Sequence, residues 1–258
     1  METIEVSRAS GIVTVTLNRP AKKNAANAQM WNELLETFRD IALNSDDRVV
    51  VLTGAGGEFC AGADLTGGGA GGPNQHQLAQ MRHITDVALA LHRVPIPTIA
   101  KVRGVAVGAG CNMALGCDLV VASETARFSE IFARRGLSID FGGSWLLPRI
   151  VGMHRAKELA LFADIIDAAE AERMGLVNRV VPDGEIDEFV DGWAARLAAG
   201  PPIALAMTKR MLDNSMAVTM EQALDDEGVA QSLNFSTADT MEALQAFVEK
   251  REPRFQGR

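Results

Sequence analysis

The chain has 258 residues, 47% of them hydrophobic and 22% charged, and a net charge of −8. It is long enough to bury a large core, and the acidic balance argues against a nucleic-acid or anionic-membrane surface, so an anionic ligand would need backbone N–H groups and local cations such as Lys22 and Lys23. With four histidines, no tyrosine and three cysteines (Cys60, Cys111, Cys117) in neither disulfide nor zinc-ligand spacing, its chemistry is expected to rest on carboxylates and backbone, with no metal.

METIEVSRASGIVTVTLNRP carries early charges and no long apolar run, and no later stretch reaches ~18 apolar residues, which predicts a soluble cytoplasmic protein. Alternation on either side of Ser10-Gly11 predicts a β-hairpin ending at Asn18-Arg19-Pro20. Helical periodicity covers 27–43, and RVVVLTG (48–54) reads as a buried strand. GGGAGGP (67–73) is too glycine-rich for either and is expected to be a surface loop or flap. A helix over 75–93, a strand in PIPTIAKVRG, a short helix in GAGCNMALGCD and a strand in DLVVAS follow. From 143 onward helices dominate: 144–150, 154–162, 168–174, 187–199, one from Pro201-Pro202 to about 213, then 219–233 and 237–249.

Two glycine-rich loops each follow a strand, GAGGEFCAGAD (54–64) and GVAVGAGCNMALG (104–116). Small residues let a ligand approach the backbone, and two N–H groups converging on one oxygen make an oxyanion hole. A dinucleotide fingerprint starting at Gly54 fails because its third glycine would fall on Phe59, and no phosphate-binding GxxxxGK[ST] occurs. One carboxylate, Asp140, stands in the apolar and glycine-rich GLSIDFGGSWLLP (136–148). Burial among Phe132, Ile139, Phe141 and Trp145 would raise its pKa and suit it to proton transfer, while capping of the helix that follows is its plainer alternative. Glu130 is expected to face solvent, Asp118 to be a structural hydrogen-bonding residue, and Cys111 a small buried filler.

NRPAKKNA (18–25), EFCAGADL (58–65), VRGVAVGAGCNMALGCDLVVAS (102–123), GLSIDFGGSWLLPRIVG (136–152), the AxxAExxGLVNRVVP pattern (168–182) and the ending EKREPRFQG together resemble the enoyl-CoA hydratase/isomerase (crotonase) family over essentially the whole chain. The resemblance implies an α/β spiral of ββα units over residues 1–200, carrying the acyl-CoA site. A helical region over 201–258 would form a homotrimer or a dimer of trimers, with part of the stripe Leu233, Phe235, Leu244, Phe247 and Val248 at subunit contacts. It implies a coenzyme A thioester as substrate and no permanently bound cofactor. Ala63 and Ala109 would be the oxyanion donors. Lys22, Ala25, Ala61, Asp64 and Leu65 would line the coenzyme A site and Phe132 and Ile139 the substrate pocket, while Asn112 either packs within its short helix or holds a ligand or a water near the thioester.

Family hydratases use two glutamates, and their positions here hold Asn112 and Phe132. An aspartate at 140 followed by GG-x-WLLPR, with asparagine at 112, is instead similar to the double-bond-shifting members, above all those resembling ring-1,2-epoxyphenylacetyl-CoA isomerases. Isomerisation with Asp140 as proton shuttle is therefore the expected activity. The rivals are hydration, with Glu130 or Asp140 positioning the water, and an acyl-CoA-binding protein without catalysis. A Clp-type serine protease, built on a related spiral, would need a histidine for Ser144 and is set aside.

Overall fold

The computed structural model describes residues 1–67 and 76–258, so most of the glycine-rich stretch read as a flap lies outside the described residues. The hairpin forms as predicted, β1 (Ile4–Ala9) against β2 (Ile12–Leu17), turning at Ser10 and Gly11, both with positive φ. Chain order continues with α1 (Ala28–Leu43), β3 (Val49–Gly54), α2 (Gln77–His92), β4 (Thr98–Val102), β5 (Val105–Val107), α3 (Ala109–Leu115), β6 (Leu119–Ser123) and β7 (Arg127–Ser129). Then come α4 (Gly143–Val151), α5 (Met153–Phe162), β8 (Ile166–Asp167), α6 (Ala168–Arg173), β9 (Arg179–Val181) and α7 (Ile186–Ala198). The last three helices are α8 (Pro202–Asn214), α9 (Met220–Phe235) and α10 (Ala238–Glu249).

Six strands form one sheet in the order β1-β2-β3-β4-β6-β9, parallel after the first pair, and β5-β7-β8 form a second, smaller sheet. β3 explains the packing. Its run of apolar residues is buried on both faces, as a central parallel strand requires: Val50 and Leu52 join the main core with Phe38 of α1, while Val49 and Val51 face Ile186, Val190 and Ala194 of α7. Pro202 opens α8 at its first turn, and Lys209 of that helix anchors it to the sheet through Asp118 Oδ2 (2.8 Å) and the Ile96 carbonyl (3.1 Å). Asp118 also accepts from the Thr98 N–H (2.7 Å) and hydroxyl (2.9 Å), the structural role expected of it. No described helix is long and apolar enough to cross a membrane.

The amino-terminal strand is pinned to α1 by a buried carboxylate. Glu33 accepts from the N–H groups of Glu2 (2.8 Å), Thr3 (3.0 Å) and Ile4 (3.2 Å), the Thr3 hydroxyl (2.6 Å) and Gln29 (2.8 Å). Burial pushes its pKa up, but these donors outweigh burial and hold it at about 2. Because the folded value lies below the unfolded one, the stabilisation is present above the ordinary glutamate pKa and is lost as pH falls toward the folded value. Glu33→Ala should cost about 3 kcal/mol in urea unfolding at neutral pH and much less in acid.

Candidate active site

The two glycine-rich loops lie side by side. Cys60 bridges Ala106 through Cys60 N–H to Val105 O (2.8 Å) and Val107 N–H to Cys60 O (3.0 Å). On its other flank the first loop is zipped to NRPAKKNA: Ala61 N–H to Lys23 O (3.0 Å), Ala26 N–H to Gly62 O (2.8 Å) and Asp64 N–H to Ala26 O (2.8 Å). This parallel pairing uses the groups on either side of Ala63, so the Ala63 N–H turns away from Ala26. Gly62, at φ +92°, packs so closely on the second loop that a Cβ there would stand 2.8 Å from Val107 O and 3.7 Å from the Ala109 nitrogen. Ala109 is the first residue of α3, whose opening amides have no partner within the helix. The two amides singled out in the sequence therefore flank one junction. At Gly110 a methyl would overlap the Cys60 carbonyl oxygen and stand 2.7 Å from Cys60 Cβ, so only glycine lets α3 rest on the first loop.

Lys22, Ala25, Ala61, Asp64 and Leu65 all belong to this zipped pair of loops; Lys22 and Leu65 are exposed, whereas Ala25, Ala61 and Asp64 are half-buried. Three residues without a predicted role hold the pair together. Arg19 donates to the Ala25 carbonyl and to Asp64 Oδ2 (3.0 Å). Asn24, fully buried in a left-handed conformation that asparagine tolerates, bonds the Arg19 N–H (2.9 Å) and the carbonyls of Ala55 (2.9 Å) and Glu58 (2.6 Å). Glu58 pairs with Lys23 (2.8 Å) and accepts the Val105 N–H (2.7 Å). Hydrogen bonds from Thr66, reinforced by Arg19, hold Asp64 at about 2.

Asp140 precedes two residues with positive φ, Phe141 (+49°) and Gly142 (+81°). This turn sends Phe141 into the core against Trp31, at a ring separation of 5.5 Å. The capping alternative fails: Gly142 is the cap of α4 and no side chain caps it. Asp140 Oδ1 is instead buried without a hydrogen-bond partner among the described residues, and burial pushes the carboxyl up to about 6. Phe132 is buried and would lie 3.6 Å from a Cβ on Gly108, and Ile139 packs on the main core.

Two expectations about this neighbourhood are corrected. Trp145 does not bury Asp140: it is 39% exposed, with its ring edge-on to His92 (5.5 Å) and the Arg149 guanidinium over it at 4.0 Å. Glu130 does not face solvent. It is 2% exposed, and its Oε2 accepts from Asn112 Nδ2 (3.2 Å). β7 delivers Glu130 inward at its end, and the 3-10 turn over Ile131–Arg135 then carries Arg134 and Arg135 out. Burial drives the Glu130 carboxyl up to about 7; the amide of Asn112 and the thiol of Cys111 oppose that rise and the charge of Asp140 adds to it. Asn112 Nδ2 also donates to the Asp140 carbonyl (2.9 Å). As Asn112 lies three residues beyond Ala109 on α3, the acid and the free amide are tied to one short helix. Cys111 is buried and its thiol lies well above the ordinary range, through burial and the neighbouring Glu130, as an inert filler should. Backbone donors next to a desolvated carboxylate can remove a proton beside a carbonyl and hold the resulting oxyanion.

The family profile described as enoyl-CoA hydratase/isomerase matches residues 7–258. A Rhodobacter capsulatus protein named "Probable enoyl-CoA hydratase" is 40% identical over 256 residues, 99% of this chain and 98% of that one. The 1,2-epoxyphenylacetyl-CoA isomerase of Escherichia coli K12 is 36% identical over 251 residues, 96% of each chain. Among solved structures, that of enoyl-CoA hydratase from Bacillus anthracis superposes with a TM-score of 0.95 at 34% identity, covering all of both chains.

Proposed function

Since the chain belongs to the enoyl-CoA hydratase/isomerase family, whose fold it shares as an α/β crotonase-type spiral, we propose that it moves a double bond within an acyl-CoA thioester, with Asp140 carrying the proton. The Ala63 and Ala109 N–H groups take the thioester oxygen. Ionised Asp140 removes a proton from C2 of a 3-enoyl thioester, and the C–H electron pair delocalises into a dienolate whose oxygen those amides hold. The same carboxyl then returns the proton at C4, leaving the double bond between C2 and C3. Lys22, Ala25, Ala61, Asp64 and Leu65 line the coenzyme A end, and Asn112, Phe132 and Ile139 the acyl end.

The observation that carries this reading is Asp140 itself: a buried carboxylate oxygen without a partner among the described residues, tied through Asn112 to the helix that Ala109 opens. Losing one oxyanion donor raises a barrier by about 3–4 kcal/mol, so two pre-aligned amides suit a chain poor in acid–base side chains. A second reading, water addition to a 2-enoyl thioester, draws on the burial of Glu130 beside Asn112 and on the hydratase names of several relatives. Product analysis separates them. Incubation with a 3-enoyl-CoA should yield the 2-enoyl isomer, whereas hydration of crotonyl-CoA should be slow or absent. Rapid hydration without migration would favour the second reading, and binding of both thioesters without turnover would favour a non-catalytic role.

The helical end shows large apolar side chains to solvent, including Phe235 (72% exposed), Phe247 (84%) and Val248 (79%). We assign part of this face to contacts between copies of the chain, as a trimer or a pair of trimers. Sedimentation equilibrium should show a multiple of three.

A further inference from the structure

Asn112 and Glu130 meet as a primary amide and a carboxyl, both essentially excluded from solvent. One hydrogen bond joins them, Asn112 Nδ2 to Glu130 Oε2 at 3.2 Å. Among the described residues the other oxygen of each side chain, Asn112 Oδ1 and Glu130 Oε1, is buried without a well-formed hydrogen bond, the weakly donating Cys111 thiol being the other group beside the Glu130 carboxyl. With Glu130 ionised, both leftover atoms are acceptors, and two unmatched buried acceptors on adjoining groups are unfavourable. A single proton removes both deficits. Among the described residues no cation acts on either carboxyl: the groups acting on Glu130 are the Asn112 amide, the Cys111 thiol and Asp140, and burial is what raises Asp140. α4 packs closely on the same amide, since a Cβ at Gly143 would overlap Asn112.

We propose that Glu130 works as a neutral carboxylic acid and as the positioning residue of Asp140: its O–H donates to Asn112 Oδ1 while Asn112 Nδ2 donates to Glu130 Oε2. The two bonds close a ring. The second Nδ2 hydrogen then holds the Asp140 carbonyl, observed at 2.9 Å, and fixes the turn that aims the Asp140 carboxylate. The inference rests on the proposed role of Asp140 for its effect on rate, though not for the protonation state itself. Glu130 transfers no proton to substrate.

A window of pH follows from the arrangement. Burial raises both carboxyls, and Glu130, more deeply buried and facing the charge of Asp140 as well, is the harder of the two to ionise, so as pH rises Asp140 takes its charge first. Above the window Glu130 ionises, the ring opens, and a second negative charge faces the developing enolate. Double-bond migration should therefore rise as Asp140 ionises and fall again as Glu130 does.

The test is a pair of substitutions read in two ways. Glu130→Ala removes the ring and should lower kcat on the order of 10- to 100-fold, with KM little changed, the loss expected for a buried hydrogen-bonded support. Glu130→Gln rebuilds the ring with an amide that cannot titrate; it should rescue most of that loss and abolish the alkaline limb of the pH profile. Independently, infrared difference spectroscopy of the free protein near neutrality should show a protonated-carboxyl band that Glu130→Gln removes and Asp140→Asn leaves in place. Absence of that band, or a Glu130→Gln protein as inactive as Glu130→Ala at every pH, would overturn the proposal; the latter would make Glu130 a proton carrier. Because the infrared band needs no turnover, it stands or falls apart from the reaction assigned to Asp140.

Discussion

Asp140→Asn should abolish double-bond migration while leaving thioester binding and the fold intact. A positioned general acid–base typically contributes about 10²–10⁴ in rate, and no other carboxylate in the site is poised to take its place, since Glu130 is held against Asn112. The expected kcat is therefore lower by about 10³ or more, with KM changed by less than about tenfold. Stability should move the other way. Burial raises the Asp140 pKa to about 6 from the ordinary aspartate value of 3.8, so the ionised carboxylate opposes folding at neutral pH. The sign follows from linkage: the folded value lies above the unfolded one, and stability is lost as pH rises through that interval. An asparagine avoids the charge and should stabilise the protein by about 1–3 kcal/mol at neutral pH, and by little in acid. A dead enzyme that melts later than wild type cannot be explained by misfolding. In the wild type, the rate should fall about tenfold per pH unit below the Asp140 value, because only the ionised form takes a proton.

The second large effect belongs to a backbone contact. Gly110→Ala introduces a methyl that overlaps the Cys60 carbonyl oxygen and meets Cys60 Cβ at 2.7 Å, and neither can rotate aside. α3 must lift from the first loop, carrying the Ala109 amide away from Ala63. Overpacking of this kind costs about 1–3 kcal/mol of stability, and loss of one aligned amide raises the barrier by about 3 kcal/mol, or about 10² in kcat. Gly192→Ala is the matching control. Gly192 is an exposed residue of α7 with open space where its Cβ would stand, so this substitution should raise stability by about 1 kcal/mol through helix propensity and leave kcat alone. Equal loss of activity in both variants would remove the amide from the mechanism.

The elements legible in the sequence are those long enough to carry a period. α1 spans 28–43 against an expected 27–43, and β3 spans 49–54 against 48–54, because sixteen residues of helical amphipathicity and a run of four buried residues in a six-residue strand each leave a pattern. β5 and β7 have three residues each and β8 two, too few to show alternation, so the second sheet could not be foreseen. β9 lies between the helices expected over 168–174 and 187–199, where no element was predicted, and only pairing with β6 defines it. In the site, Ala63, Ala109 and Asp140 were named from motif positions, and the structure brings their segments together. Glu130 was missed because its charge, four residues before two arginines, reads as surface. Its flanking Phe128, Ile131 and Phe132 were the available signal. Trp145 was misplaced because nearness in sequence says nothing about which side of α4 it occupies.

The central claim is that one carboxylate, Asp140, takes the C2 proton of a thioester whose oxygen is held by two backbone amides. The measurement that reaches it most directly is the fate of the C2 hydrogens of a 2,2-dideuterated 3-enoyl-CoA, followed by mass spectrometry, for wild type and Asp140→Asn. The account predicts that the wild type removes one deuteron from C2, carrying it to C4 or losing it to water, and that the variant leaves both in place despite retained binding. Removal that persists in Asp140→Asn, or retention of both deuterons at C2 in a wild type that turns the thioester over, would contradict it.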